Sequence, residues 1–412
     1  MLKTMVRFLS AGESHGQALV AILEGMPAGL RIDFDAITAD LRRRQGGYGR
    51  GRRMVIETDR AEILSGVRRG ETLGGPIAFL IRNKDWDNWQ NTMHVGPEPP
   101  EGATGARRGA VTRPRPGHAD LAGVIKYDRE DIRDILERAS ARETTSRVAA
   151  AAIARQLLAR FDIQVTSHVF ALGGIRLPLD RQVTFAEAAG LPDDSLLRCV
   201  DDELQAEMVA AIDRAKEAGD TLGGAFEVIV RGVPPGLGSH IQWDRKLDGR
   251  FAQALMSIPA IKAVGIGIGP EVASLPGSLV HDEIVLPTTA VHSADMGVAR
   301  PTNRAGGLEG GITNGEDLRL CGYMKPISTL MQPLRSVDLS TLVESPAAIE
   351  RSDTCAVTAA AIVGEAMVCL VLADAFLEKF SGDSMAEISR NYEQTRAHVR
   401  HRFSAHPTSA SA

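Results

Sequence analysis

Residues 11–30, AGESHGQALVAILEGMPAGL, return at 218–237 as AGDTLGGAFEVIVRGVPPGL. Gly12, Gly16, Gly25, Pro27, Gly29 and Leu30 are answered by Gly219, Gly223, Gly232, Pro234, Gly236 and Leu237. The chain therefore contains a duplication. Glu13 and Ser14 are matched conservatively by Asp220 and Thr221, but the place of His15 is taken by Leu222. One scaffold is built twice and only one copy carries an ionisable ring in its glycine-flanked turn, where backbone freedom lets a ligand approach closely. His15 is either a chemical group or a ring that caps a turn, and both readings are open at this point.

Outward from that repeat, Leu19, Ala21 and Leu23 alternate in a strand pattern, as do Phe226, Val228 and Val230. Each strand ends in a GxPxGL turn and leads to an Asp-led helix, expected at 35–44 and 244–256. Further strands are expected at 77–81 and 163–170, and helices at 143–160, 203–218, 354–376 and 385–398. Strands and helices do not alternate strictly, so a layered α+β arrangement is favoured over a doubly wound parallel sheet. Two related halves sharing one core account for the length better than separate domains, giving a single unit over 1–403 and a disordered tail at 404–412. Two stretches resist assignment: 83–118, rich in Pro and carrying Trp86 and Trp89, and 292–316, which includes GGLEGGITNG. Each is a ligand-wrapping loop or a mobile surface loop.

Of the 412 residues 44% are apolar, and the net charge is −5, so bulk electrostatics do not favour a polyanion and any anion site is local. Cys199, Cys321, Cys355 and Cys369 form neither a CxxC pair nor a run with His at metal spacing, which argues for no metal, no disulfide framework and a reducing cytoplasm. The apolar run from Thr354 to about Leu377 is broken by Glu365 and Asp374 and reads as a buried helix, so no membrane is implied.

RRRQGGYGRGRR sets Arg42, Arg43, Arg44, Arg50, Arg52 and Arg53 around a glycine turn. It reads as a trap for a small, multiply charged anion, its competitors being a solvated helix end and an Arg/Gly nucleic-acid segment. As an exposed trap it would contribute little to folding. His118 lies in RPRPGHAD beside Arg113 and Arg115, as a proton-handling ring for an anionic substrate or as a loop residue held by Asp120. Ser140-Ala-Arg-Glu143 has the pattern of a capping box, and Asp353 that of an N-cap for the apolar helix after it.

AGESHG, RRRQGGYGRG, RPGHADLAG, ERASARETTSRVAA, GGLEGGITNG, KPIST and RSDTCAV, in this order over nearly the whole chain, resemble the signatures of the chorismate synthase family. The resemblance implies a layered β-α-β sandwich with internal pseudo-twofold duplication and a homotetramer. It also implies a lyase that uses reduced FMN to convert 5-enolpyruvylshikimate 3-phosphate to chorismate by 1,4-anti elimination, with NADPH as a reductant of the flavin in part of the family. Carried over residue by residue, it makes His15, His118 and Asp353 catalytic and assigns Arg44 and Arg50 to NADP. Flavin contacts fall on Arg138, Ala139, Ser140, Pro259, Ala260, Gly310, Lys325, Pro326, Ile327, Ser328, Thr329 and Arg351. Pro259 stands where many members have Asn or Gln, so a bond there falls to its carbonyl. In the mechanism so implied His15 protonates the departing phosphate, flavin N5 takes the ring proton, Asp353 tunes N5 and His118 keeps the reduced ring protonated. The competing readings are an NADP-dependent flavin oxidoreductase and a nucleic-acid-binding module; steady NADPH consumption or salt-sensitive oligonucleotide binding would mark them.

Overall fold

The structure is a computed structural model and describes residues 5–51, 58–286, 297–350 and 352–404. Strands β1 (Arg7–Ala11), β2 (Ala18–Glu24), β3 (Glu62–Ile63) and β4 (Ile77–Arg82) form an antiparallel sheet in the order β1-β2-β4-β3. A second antiparallel sheet holds β5 (Gln164–Leu172), β6 (Ile175–Arg176), β7 (Gly224–Arg231), β8 (Ile261–Ile266) and β9 (Leu318–Met324), in the order β8-β9-β7-β5-β6. The helices are α1 (Phe34–Gln45), α2 (Asp120–Tyr127), α3 (Arg133–Ala139), α4 (Thr144–Ala159), α5 (Asp202–Glu217), α6 (Leu247–Met256), α7 (Val357–Phe380) and α8 (Met385–Ser404). Helix α4 packs on β2 of the first sheet and on β5 of the second; α7 packs on α4, β5 and β7. The result is sheet, helix layer, sheet, as the duplication and the resemblance led one to expect.

The alternation in β2 sorts its side chains by face. Leu19, Ala21 and Leu23 are buried against the helices while Val20 and Ile22 are exposed. Helix α4 is buried nearly all round because VAAAAIA offers no polar face, which suits a helix lying between two sheets. Helix α7 is long and apolar enough to cross a membrane, yet it is buried inside the protein. Its deepest charge, Glu365, accepts from Arg43 at 2.8 Å, Arg155 at 2.6 Å and Ser167 at 2.6 Å. Burial alone would raise this carboxyl, but Arg43 and Arg155, aided by Arg198, hold it well below the usual carboxylate range.

The duplication runs further than the 20-residue repeat. Thr72 and Thr313 serve the two GxPxGL turns identically. Thr72 Oγ1 donates to Pro27 O and accepts from Leu30 N–H at 2.9 Å, while Thr313 Oγ1 donates to Pro234 O and accepts from Leu237 N–H at 2.9 Å. The flanking segments, GVRRGETLGG at 66–75 and GLEGGITNGE at 307–316, are thus twins. Gly310 (φ +62°) corresponds to Arg69 (φ +53°), both in the left-handed region. Of the 292–316 stretch, residues 292–296 lie outside the described residues, and Leu308–Glu309 with Ile312–Thr313 form a hairpin stapled to the second GxPxGL turn.

Two local expectations fail. Ser140 Oγ accepts from Arg142 N–H, not Glu143, within a 3-10 turn (Ala141–Glu143), and the Glu143 carboxylate turns to Arg147; no capping box forms. The N-cap of α7 is Ala356, three residues beyond Asp353. In both places a longer-range charge partner outcompetes the local cap. The predicted elements are otherwise present with ends moved by a few residues, whereas β1, β3, β6, β8, β9, α2 and α3 were not foreseen. Residues 405–412, Arg52, Arg53 and Arg351 lie outside the described residues.

Candidate active site

His15 sits in the turn between β1 and β2. Gly12 opens that turn at φ +112°, where a Cβ would meet Ala18 O at 2.5 Å, so only glycine brings the turn this close to β2. Glu137 of α3 fixes the turn. Its main-chain O accepts Ser14 N–H at 3.0 Å, and its carboxylate accepts His15 N–H at 2.8 Å and lies 2.9 Å from His15 Nδ1. The imidazole stacks on the buried Trp89, centroid to centroid 3.8 Å at 20°. Arg138 donates to Ser10 O and Gly12 O, and Ser140 Oγ donates to Ser14 Oγ at 3.1 Å.

From this turn a line of polar contacts leads to the arginine segment. Asn83 Nδ2 donates to Gly16 O at 2.6 Å, and Asn83 Oδ1 accepts from Arg142 Nε at 2.9 Å. Arg142 pairs with Asp59 at 2.7 Å, and Arg44 Nη1 lies 4.0 Å from the same carboxylate. Arg44 donates from Nε to Thr144 Oγ1 and from Nη2 to Ala141 O, leaving Nη1 buried without a hydrogen-bond acceptor among the described residues. Burial first, then the like charges of Arg50 and Arg142, push the Arg44 guanidinium down to about 9. Arg50 Nη1 faces Asp353 Oδ2 at 2.8 Å, and Asp353 Oδ1 accepts Gly51 N–H at 2.6 Å.

The arginine trap is therefore only partly a trap. Arg43 is an internal ion-pair partner of Glu365 and Asp40. Arg44 is buried and Arg50 largely covered, 4% and 10% exposed at the side chain, so the expectation that they are exposed charges is overturned. What remains is a buried cluster of Arg44, Arg50 and Arg142 beside Asp59 and Asp353, suited to a compact anion and closed to a polymer.

On the other side of the site His118 Nδ1 pairs with Asp120, the first residue of α2, and Arg115 binds the same carboxylate through Nε at 2.9 Å. The hydrogen bond from His118 first, with Arg115 beside it, holds Asp120 far below the usual carboxylate range against the opposing effect of burial. Arg115 Nη1 reaches Thr329 Oγ1 at 3.0 Å, and Lys325 Nζ donates to Gly117 O, so KPIST lies against the His118 loop. Lys325 N–H donates to Ala260 O at 2.9 Å. Ile327 O accepts from Thr221 in the second copy's turn at 2.8 Å, and Leu222 N–H, at the place of His15, donates to Thr354 O beside Asp353. Both copies of the glycine turn thus converge on one region. Beside Arg138 and Ala139 opens a cleft of about 530 Å³, its apolar lining Phe8, Leu9, Pro259 and Met367 and its charged lining Arg138, Glu143 and Arg147.

Gly310 stands apart: its hairpin touches the 238–247 segment, and among the described residues its contacts include none of the site residues named above. Glu137, Asp59 and Asn83 were missed by the sequence reading, and Trp89 and Asp120 were noticed without a role. Only Glu137 and Asp59 had a signal, an acidic residue amid an arginine-rich motif, and their partners are remote in sequence.

A family model described as chorismate synthase matches residues 6–377. A chorismate synthase of Solibacter usitatus is 55% identical over 391 residues, spanning 94% of this chain and 98% of its own length. One of Geobacter sulfurreducens is 54% identical, spanning 96% of this chain and 100% of its own. A crystal structure of chorismate synthase superposes with a TM-score of 0.74 at 42% identity, covering 96% of this chain and 98% of that one.

Proposed function

This chain belongs to the chorismate synthase family, and we propose that its residues divide that family's reaction among themselves as follows. The reaction is the 1,4-anti elimination of phosphate from 5-enolpyruvylshikimate 3-phosphate to give chorismate, the last common step towards the aromatic amino acids, and the enzyme is a carbon–oxygen lyase. The observation that carries the assignment is the line of contacts from the His15 turn through Asn83, Arg142 and Asp59 to Arg44, with the Arg50–Asp353 pair near enough to act on Arg44 electrostatically. It sets a proton donor at one end of a buried cationic cluster and a carboxylate at the other.

In this reading the substrate phosphate meets the Arg44, Arg50 and Arg142 cluster, which neutralises charge on the leaving group, and His15 gives it a proton. Arg44 and Arg50, which the resemblance assigns to NADP, belong to the same cluster, so any anion they take lies at the reaction site. His118, anchored by Asp120, and Asp353, anchored by Gly51 and Arg50, are the fixed proton-handling groups on the remaining sides. Reduced FMN, when bound, supplies electron density to the substrate without being consumed. The cleft fits it, with Phe8, Leu9, Pro259 and Met367 as apolar walls for a planar ring and Arg138 for an anion. Arg138, Ala139, Ser140, Pro259, Ala260 and Lys325 to Thr329 are its contacts in this proposal.

The assembly is a homotetramer. Its support is the outward face of the first sheet, where Leu9 opposite Ile22 and Val20 opposite Leu80 leave a contiguous apolar surface. The enzyme works in the cytoplasm, in keeping with four buried free cysteines. The test is an anaerobic assay of phosphate release. Dithionite-reduced FMN should support stoichiometric phosphate and chorismate, and oxidised FMN alone neither. Steady NADPH consumption without chorismate would overturn the reading.

A further inference from the structure

Glu137 is nearly solvent-free, lies 122 residues from His15 in sequence, and is committed to that residue's turn through three separate atoms. Its main-chain O holds Ser14, one carboxylate oxygen holds the His15 main-chain N–H, and the other stands at His15 Nδ1. A buried acidic residue that only balanced charge would need none of this geometry. Arg133, one turn earlier on α3, places its positive charge 3.5 Å from the carboxylate, while Trp89 takes one face of the imidazole. Ring tilt and ring plane are thus set independently, the tilt by the carboxylate and the plane by the stack.

Resting on the reading of His15 as the proton donor, we propose that Glu137 is the positioning residue for it. By accepting the Nδ1 hydrogen, Glu137 selects the ring state in which Nε2 is the nitrogen that exchanges protons, and holds Nε2 on the opposite side of the ring from α3. The logic is that of a buried carboxylate orienting a catalytic imidazole, here with an indole in place of a third polar partner. Glu137 touches neither substrate nor cofactor and acts through His15 alone.

The test is a double-mutant cycle with a spectroscopic readout. In a Trp86→Phe/Trp243→Phe background only Trp89 emits, and a stacked imidazole quenches it. Glu137→Gln should lower kcat by about tenfold or more, bounded by the loss in His15→Asn, with KM unchanged and Trp89 emission raised as the ring leaves the stack. In a His15→Asn background Glu137→Gln should cost nothing further. Parental kcat and emission in Glu137→Gln, or an equal loss in both backgrounds, would overturn the inference while leaving His15 as the acid. Parental turnover in His15→Asn would remove the acid reading itself. If Glu137→Gln does not fold, Glu137→Asp is measured instead; its carboxylate falls a methylene short of the turn, so the same directions are expected and parental values count against the proposal.

Discussion

Asp353 Oδ2 lies 2.8 Å from Arg50 Nη1, across 303 positions of sequence, and its other oxygen binds Gly51 N–H. The carboxylate is tied to the arginine turn of the other half and caps nothing. Asp353→Asn keeps an acceptor for Gly51 but leaves Arg50 without its counter-charge. Phosphate release should collapse, and urea denaturation should show a loss of about 1–3 kcal/mol, the cost of weakening a charged hydrogen bond. Near-parental turnover would reduce Asp353 to a structural tie.

His15→Ala removes the proton donor and the stacking partner of Trp89 together. Turnover should fall about a hundredfold or more, as for a general acid. Stability should fall by about 0.5–1.5 kcal/mol for the lost ring pair, with FMN still bound. Unchanged phosphate release from the folded variant would exclude His15 from the chemistry.

Arg44 carries its charge against burial and two neighbouring cations, with its pKa pushed down to about 9. Only the guanidinium form attracts an anion, so the affinity for inorganic phosphate or substrate should decline as pH rises through about 9. Calorimetry between pH 7 and 10 measures this, and Arg44→Gln should abolish the decline along with most of the affinity. A flat affinity across that range would sink the anion role.

Glu365 contributes to stability through its ionised form. Because its folded pKa is depressed below the unfolded value, the contribution is fully present above about pH 4.5 and is lost as pH falls towards the depressed value. Glu365→Gln should cost about 3–5 kcal/mol at neutral pH, since Arg43 and Arg155 remain buried without it. The acid limb of a stability–pH curve should flatten in the variant. A parental melting temperature would show that the arginines find other partners.

Ile22 points outward on the first sheet and is 41% exposed. Ile22→Lys should leave circular dichroism unchanged while sedimentation velocity reports a smaller particle. An unchanged mass would place the interface elsewhere.

The alternation in β2, the Ala-rich α4 and the burial of α7 were legible, because in each the local pattern and the final environment agree; β7 was found by its alternation although it is buried on both faces, Glu227 and Ile229 with Phe226 and Val228. Strand β9 was not, since Arg319 interrupts its apolar run. That arginine is buried only because Glu227 of the neighbouring strand receives it at 2.9 Å and 2.6 Å, a compensation that no window along the chain contains. The catalytic candidates were legible through motif resemblance and through the His15–Leu222 asymmetry. Glu137 was not, its meaning resting on a turn more than a hundred residues away. Asp353 was misread for the same reason, a local cap pattern having been answered by a distant charge. The twin segments around Thr72 and Thr313 escaped notice because little more than glycine and threonine survives between them.

Helix α7 occupies the middle of the molecule but is nearly the last element to be synthesised. It meets α1, α4, α6, β5, β7 and β9, and its Asp374 accepts the main-chain N–H groups of Met5 and Val6 at 2.6 Å and 2.8 Å. The residues leading into β1 are thus moored to a side chain 368 positions later in the sequence. Before that residue is made α4 can already cover β2 and β5, but β7 and the face of α4 that meets α7 lie open, so the core closes only when α7 arrives. Closure of the core thus waits on a late segment, and apolar surface that α7 covers is exposed in the meantime.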